Sequence, residues 1–267
     1  MSSSLETEYL DPTPLRVRID THEHFSERAH SPTDDVLGAL DLSGAEYLAD
    51  IGCGDARFLA ALRAAGHHGP LVGIDTSPAM VAAADTLPGV RGVLADAERM
   101  PFDDNTFDAL TARHMLGHVP DPRGALDEFR RTTKPGGTVA VVVNHPVTCP
   151  LITELVTAHA DSYGIDQDTT FRATVDSATL PPLMAEVFGA VAVHRSDNAL
   201  VFDSAEPLVR FAESRFSFHG IAPDHPDRGA ILKDLRADVG EWFAAEPGRV
   251  WRDPKGYVVV AARVAGV

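Results

Sequence analysis

The stretch Ala49-Asp50-Ile51-Gly52-Cys53-Gly54-Asp55-Ala56 ends an apolar run and leads into a helical pattern. Its two glycines permit a tight turn after a strand and let a ligand approach the backbone closely. A dinucleotide fingerprint of the G-x-G-x-x-G kind needs glycine where Arg57 stands, so a bound pyrophosphate is disfavoured and a ligand without phosphates fits better.

Outward from this loop the text alternates short apolar runs with helical segments, the pattern of βαβ units and a mostly parallel sheet. Strands are expected at Tyr47 to Ile51, Leu71 to Ile74, Val90 to Ala95, Ala109 to Ala112 and Thr138 to Asn144. All are short and apolar, as strands buried on both faces should be. Asp55 is expected to cap a helix through Leu62, Ser77 one with Pro78 in its first turn, and Pro122 to open one through Arg131. Asp75 ends the second strand and Asp96 follows the third. Carboxylates at successive strand ends face one crevice and suit a neutral nucleoside bearing a cationic centre, with Asp75 placed to accept from both ribose hydroxyls.

After His145 the regularity loosens. Residues 146–175 read as loop and irregular helix, Ser177 to Phe188 as a helix, Val191 to Phe202 as a strand and Glu206 to Ser217 as helical. Ile231, Leu232, Leu235, Val239, Trp242 and Phe243 recur at helical spacing, which predicts an amphipathic helix over 228–244. Tyr257 to Val264 reads as the last strand. Before the main domain, a short helix after Pro14 is expected, within a stretch reaching about Arg28.

Acidic residues outnumber basic ones 39 to 23 over 267 residues, a formal charge of −16, which repels phosphate backbones and anionic lipid headgroups. No Lys/Arg run makes a local exception, so neither nucleic acid nor a membrane is expected as a partner. Cys53 and Cys149 stand far apart and form no C-x-x-C pair; they read as free thiols. Met1 to Pro14 is polar and acidic, without the basic start and apolar stretch of a signal peptide, so a cytoplasmic protein is expected.

With 44% hydrophobic and 23% charged residues the chain has an ordinary globular composition. Four elements in order resemble the class I S-adenosylmethionine-dependent methyltransferases, over about residues 45–145. They are Asp50 to Ala56; Gly73-Ile74-Asp75-Thr76-Ser77-Pro78-Ala79-Met80; Ala95-Asp96-Ala97-Glu98 with Pro101-Phe102; and Lys134-Pro135-Gly136-Gly137. The resemblance implies a Rossmann-like α/β fold: a mostly parallel seven-stranded sheet flanked by helices, with an N-terminal helical lid and a helical cap insertion. The domains expected are an extension over 1–37, a cofactor-binding core over 38–145, and over 146–267 the remainder of the sheet with substrate-cap insertions. The cofactor implied is S-adenosylmethionine, and the activity is methyl transfer to a small-molecule acceptor by a monomer or homodimer, with specialised metabolism as a setting.

Carried over to this sequence, the resemblance places Gly52 and Gly54 beneath the methionyl moiety, with Asp50 near its ammonium. Asp75 would hold the ribose, Thr76 and Met80 would flank the adenine, Asp96 would accept from its exocyclic amine, and Ala97 would add a backbone contact. Ala56 departs from the family, in which many members have a third glycine there. Arg113, which follows the fourth strand, joins the cofactor set. Tyr9 to Ser26 resembles segments that fold over the cofactor, which makes Tyr9, His24 and Phe25 candidate substrate contacts. Phe211, Phe216, Phe218 and His219 lie where related enzymes build a cap over the acceptor, or else form local core.

His114 and His118 follow the fourth strand, at the position facing the transferable methyl group in this fold. Either is a candidate general base, since imidazole titrates near neutrality; a histidine at the place of His118 is also common in the family for structural reasons. The Asn/Asp-Pro-Pro-aromatic tetrapeptide of nucleobase-amine methyltransferases is absent here. The His114/His118 spacing matches a zinc H-E-x-x-H pair, but Met115 replaces the glutamate, and no metal is expected. His22, Glu23, His24 and His30 read as a solvated face or pocket lid rather than a metal site. Two other readings keep the fold and change the function: cofactor-dependent chemistry without methylation, such as cyclisation, or an inactive module that only binds the cofactor.

Overall fold

The apolar runs after Tyr47 become adjacent strands of one sheet. In the computed structural model, which describes residues 13–29, 31–166 and 172–266, two helices come first, α1 (Thr13–His24) and α2 (Pro32–Leu40). There follow β1 (Leu48–Ile51), α3 (Arg57–Ala64), β2 (Leu71–Asp75), α4 (Pro78–Asp85), β3 (Val90–Leu94), β4 (Phe107–Arg113), α5 (Pro122–Thr132) and β5 (Thr133–Asn144). The remainder is α6 (Pro150–Ser162), α7 (Leu180–Phe188), β6 (Val191–Phe202), α8 (Ala205–Glu213), α9 (Arg228–Ala244) and β7 (Trp251–Arg263).

The sheet has seven strands in the order β3-β2-β1-β4-β5-β7-β6. Strands β3, β2, β1, β4 and β5 pair in parallel, and β7 runs antiparallel to β5 from Thr138 opposite Arg263 to Asn144 opposite Tyr257. This is the Rossmann-like arrangement expected of class I methyltransferases.

The chain divides into two units. The core unit holds the described residues of Ser31–Pro146, Ala173–Ser196 and Tyr257–Val267; the second unit holds those of Met1–His30, Val147–Arg172 and Asp197–Gly256. The core unit is layered as the strand period of two requires. Ala49, Ile51, Val72, Ile74, Val139, Val141 and Val143 point to one face, against α5 and α7 through Leu126, Phe129, Leu180 and Met184. The alternate residues Leu48, Leu71, Ala140 and Val142 point to the other, against Val36 and Leu40 of α2 and Phe58, Leu59 and Leu62 of α3. The second unit is built around its own apolar cluster, in which Ile152 and Val156 of α6, Phe202 of β6, Leu208 and Phe211 of α8, Phe216, and Ile231, Leu235 and Val239 of α9 are buried.

Several local readings change. Helix α3 starts at Arg57 behind Ala56 in a left-handed conformation (φ 61°), so Asp55 is not its cap; its carboxylate is turned to Arg57 instead. Ser77 does occupy the N-cap of α4, but its hydroxyl makes no capping bond; its N–H is instead held by Asp75 Oδ1 at 2.9 Å. Residues 150–162, read as irregular, form the regular helix α6, whose buried Ile152, Val156 and Ala160 recur every four residues. Helix α2, not anticipated, is capped by Ser31 accepting from the Asp34 N–H, with Pro32 in its first turn. The segment 206–217 divides: α8 stops at Glu213 and a separate 3₁₀ turn spans Phe216–His219. Among the described residues no helix is long and apolar enough to cross a membrane.

Candidate functional site

The parallel register sets the carboxyl ends of four strands side by side, Ile51 beside Ile74 and Ala112, and Asp75 beside Leu94. The loop after β1 is compact because Gly52 (φ 62°) and Gly54 (φ 53°) are left-handed. A Cβ on Gly52 would stand 2.6 Å from the Met115 Cβ, so no other residue fits without moving the β4 end. Asp75 ties the loop down: its Oδ2 accepts the Gly54 N–H at 3.0 Å and its Oδ1 the Ser77 N–H. Burial pushes the Asp75 carboxyl up, and these two N–H donors act against that shift. Each oxygen keeps a lone pair for a further donor, the capacity that two ribose hydroxyls need.

Asp50, the residue expected near a ligand ammonium, is fully buried. Its Oδ1 accepts from the Thr111 hydroxyl at 2.6 Å and from Arg113 Nε at 3.3 Å, while its Oδ2 takes the Arg113 Nη2 at 3.0 Å. The Arg113 guanidinium lies 4.3 Å over the Phe58 ring. Arg113 therefore has donors left over for an anionic ligand group, and Asp50 shares its charge with a guanidinium before any ligand arrives. Asp96 is exposed and uses Oδ1 to hold the Glu98 N–H at 2.9 Å, while Ala97 is buried in the core. Thr76 is exposed, and Met80 is buried on α4.

At the end of β4, His114 is exposed and left-handed (φ 54°), its N–H bonded to Val142 O. Backbone strain of this kind gathers at functional positions. His118 sits in a 3₁₀ turn over Leu116–His118. The two histidines are thus not on one α-helical face, which the zinc-type spacing requires. Among the described residues no group of three His, Cys, Asp or Glu side chains is arranged to hold a metal.

The His114 ring meets the Tyr257 ring edge-on at 5.9 Å. The Tyr257 hydroxyl donates to Asp35 Oδ2 at 2.8 Å, an oxygen that also lies 3.3 Å from His194 Nε2. This set was missed from sequence, because Asp35 and Tyr257 are 222 positions apart and lie in otherwise unremarkable text.

Of the candidate substrate contacts, Tyr9 lies outside the described residues, as does His30. In the second unit His24 is exposed, with Nδ1 2.7 Å from Asp20 O, and Phe25 stacks on Phe202 at 5.1 Å. Phe211, Phe216 and His219 are buried in that unit. A cleft of 480 Å³ opens in the core unit near Leu40, Glu46, Lys134 and Arg263, at the amino ends of β4 and β5. Its charges are spent on one another, as in Lys134 Nζ to Asp108 at 2.7 Å, and it lies at the opposite sheet edge from Asp75. It is set aside as a ligand site.

Residues 49–141 match the family model described as a methyltransferase domain. The chain carries a methyltransferase domain over these residues. Over 142 residues it is 33% identical to a demethylmenaquinone methyltransferase of Staphylococcus epidermidis, a match spanning 51% of this chain and 57% of that protein. The chain spans about half the length of the curated relatives it matches. Its fold is similar to that of a protein of Anabaena variabilis assigned as a methyltransferase of an antibiotic biosynthesis pathway (TM-score 0.63, 20% identity, covering 87% of this chain and 96% of that one). It is also similar to phosphoethanolamine N-methyltransferase 2 of Haemonchus contortus, solved with S-adenosylhomocysteine (TM-score 0.59, 15% identity, covering 99% of this chain and 60% of that one).

The cofactor of this domain class is S-adenosylmethionine, and the residues fit it. Asp75 offers two oxygens with spare acceptor capacity, Arg113 offers spare donors for a carboxylate, and the left-handed glycines make the compact turn that sets the loop beside both. The methyltransferase domain thus holds every cofactor candidate at the carboxyl ends of β1 to β4 or in the loop or helix that follows.

Proposed function

We propose that the protein transfers the methyl group of S-adenosylmethionine to a small-molecule acceptor. The observation that carries this is the Asp75 carboxylate, anchored by Gly54 and Ser77 and carrying acceptor capacity at the end of β2. The cofactor supplies an activated methyl on a sulfonium. Gly52 and Gly54 line the methionyl moiety, with Asp50 and the spare Arg113 donors serving its charged groups. Asp75 holds the ribose, Thr76 and Met80 flank the adenine, Asp96 accepts from its amine, and Ala97 adds a backbone contact. His114 is the better-placed base of the two histidines, being exposed at the strand end; it takes the acceptor's proton on an imidazole nitrogen as the acceptor attacks. The acidic balance of −16 supports a small molecule over a nucleic acid acceptor.

Calorimetric titration with S-adenosylmethionine, and in parallel with a nicotinamide dinucleotide, tests the reading. Saturable binding of the first alone is expected, on the order of micromolar, and Asp75→Ala should abolish it in a variant whose circular dichroism shows it folded. Retained affinity in that variant overturns the cofactor assignment. Turnover of the cofactor to methylthioadenosine with no acceptor present, read by mass spectrometry, overturns methyl transfer in favour of cyclisation-type chemistry.

A further inference from the structure

The second unit holds two cations that form no salt bridge among the described residues. Lys255, on β7, donates from Nζ to the Ser26 hydroxyl at 2.6 Å and lies 3.0 Å from His22 Nδ1. Arg215, just after α8, donates from Nη2 to the Thr153 hydroxyl at 3.0 Å, and its Nε is buried without a hydrogen-bond partner. Among the described residues neither cation is salt-bridged to a carboxylate. Arg18, bonded to Ser214 O at 2.5 Å, adds positive charge that bears on Arg215.

The negative group that acts on Arg215 is Asp253, and it is fully buried and already committed. Its two oxygens accept the N–H groups of Leu151 and Ile152, at 3.1 and 2.8 Å, and so cap the start of α6. Cys149, bonded through its N–H to Pro254 O, brings no charge, because burial pushes its thiol up to about 12. His219, 3.2 Å from the Thr157 hydroxyl, is likewise held neutral, burial and then Arg215 pushing it down to about 4. Burial holds both Lys255, at about 8, and Arg215 below their ordinary ranges. A cluster with two half-buried cations against one spent carboxylate carries an unfavourable positive excess.

We propose that this cluster is a binding site for the carboxylate group of a small organic molecule, with Lys255 and Arg215 as its cationic contacts. Lys255 and Arg215 against Asp253 leave a net positive charge, which the single charge of a carboxylate reduces. The Nε edge of Arg215 presents the planar fork geometry that suits a carboxylate, and Lys255 supplies a point charge beside it. Phe211, whose ring is 5.9 Å from the Arg215 guanidinium and 5.5 Å from the His22 ring, is buried in the unit's apolar cluster and fixes where both side chains lie. The site lies wholly within the second unit and does not depend on methyl transfer.

The test is calorimetric titration of the full chain, without cofactor, with benzoate, hexanoate, neutral benzamide and inorganic phosphate in a low-chloride buffer at pH 7. At least one carboxylate should bind saturably and about tenfold or more tighter than benzamide and phosphate. Lys255→Met should weaken that binding about tenfold or more while leaving S-adenosylmethionine binding intact, which shows that the variant is folded. Arg215→Gln should do the same, and if that variant does not fold, Lys255→Met decides alone. The proposal is overturned if neither carboxylate exceeds benzamide, if Lys255→Met binds as well as the parent, or if phosphate binds tighter than either carboxylate. Since the cofactor is absent from these titrations, their failure leaves the methyltransferase reading standing.

Discussion

Arg113 grips the Asp50 carboxylate through two nitrogens, at 3.0 and 3.3 Å, across the neighbouring strands β1 and β4. Asp50 has no exposure to water, so its charge depends on this guanidinium and on Thr111. Arg113→Met should lower stability by about 2–4 kcal/mol, the scale of stranding a buried ion-pair partner, and Thr111→Val by about 1 kcal/mol. Urea denaturation reads both; an unshifted midpoint in Arg113→Met would show that the pair is not structural.

Ala56 is held at φ 61°, a region that costs a residue with a Cβ and suits glycine. Ala56→Gly should therefore raise stability by about 0.5–1 kcal/mol, with the relief of native backbone strain partly offset by a freer unfolded chain. Thermal melting of the two proteins checks this, and a lower melting temperature in the glycine variant would mean that the strain is relieved elsewhere.

His114 combines an exposed imidazole with a left-handed backbone. Asparagine tolerates that conformation better than alanine does, so His114→Asn should fold as well as the parent while His114→Ala loses about 1 kcal/mol. If the imidazole is the base, both variants should lose about 10²–10⁴ in kcat with little change in cofactor affinity. Full activity in His114→Asn would move that role to His118 or to no residue at all.

Two pH windows follow from the second unit. His219 is held down at about 4 against 6.5 in a free chain, so between those values the unfolded chain binds the extra proton. Its contribution is complete above 6.5 and is lost as pH falls toward 4, on the order of 3 kcal/mol in all. Lys255 at about 8 against 10.5 works in the same sense at higher pH: the unfolded chain holds its proton longer, and stability climbs between those values. Denaturation across pH should show both slopes, with His219→Gln flattening the acid one and Lys255→Met the alkaline one.

The loop around Gly52 and Gly54 and the acids at the strand ends were legible because each belongs to a short local pattern: strand, turn, helix. The same holds for α9, whose Ile231, Leu235 and Val239 repeat at helical spacing. What stayed hidden needs distance in sequence. Nothing near Asp35 announces Tyr257, and nothing near Asp50 says that Arg113, at the end of another strand, will take its charge. Cys149 hides the start of α6 by taking a left-handed conformation usually left to glycine, while the helix cap comes from Asp253, 104 positions after it. Arg215 and Lys255 are likewise ordinary in the text and become notable only when the fold brings both near the buried Cys149.

The interleaving of the two units has a consequence for synthesis on the ribosome. Strands β1 to β5 lie in one uninterrupted run, Leu48 to Asn144, and can begin to associate as soon as that run has emerged. The second unit draws on three separated segments, the last of which ends at Gly256, so its cluster of Arg215, Asp253 and Lys255 assembles only after most of the chain has been made. Exchange of that unit between relatives by recombination would likewise require three separated segments to be replaced together rather than one, which favours change by point substitution within it.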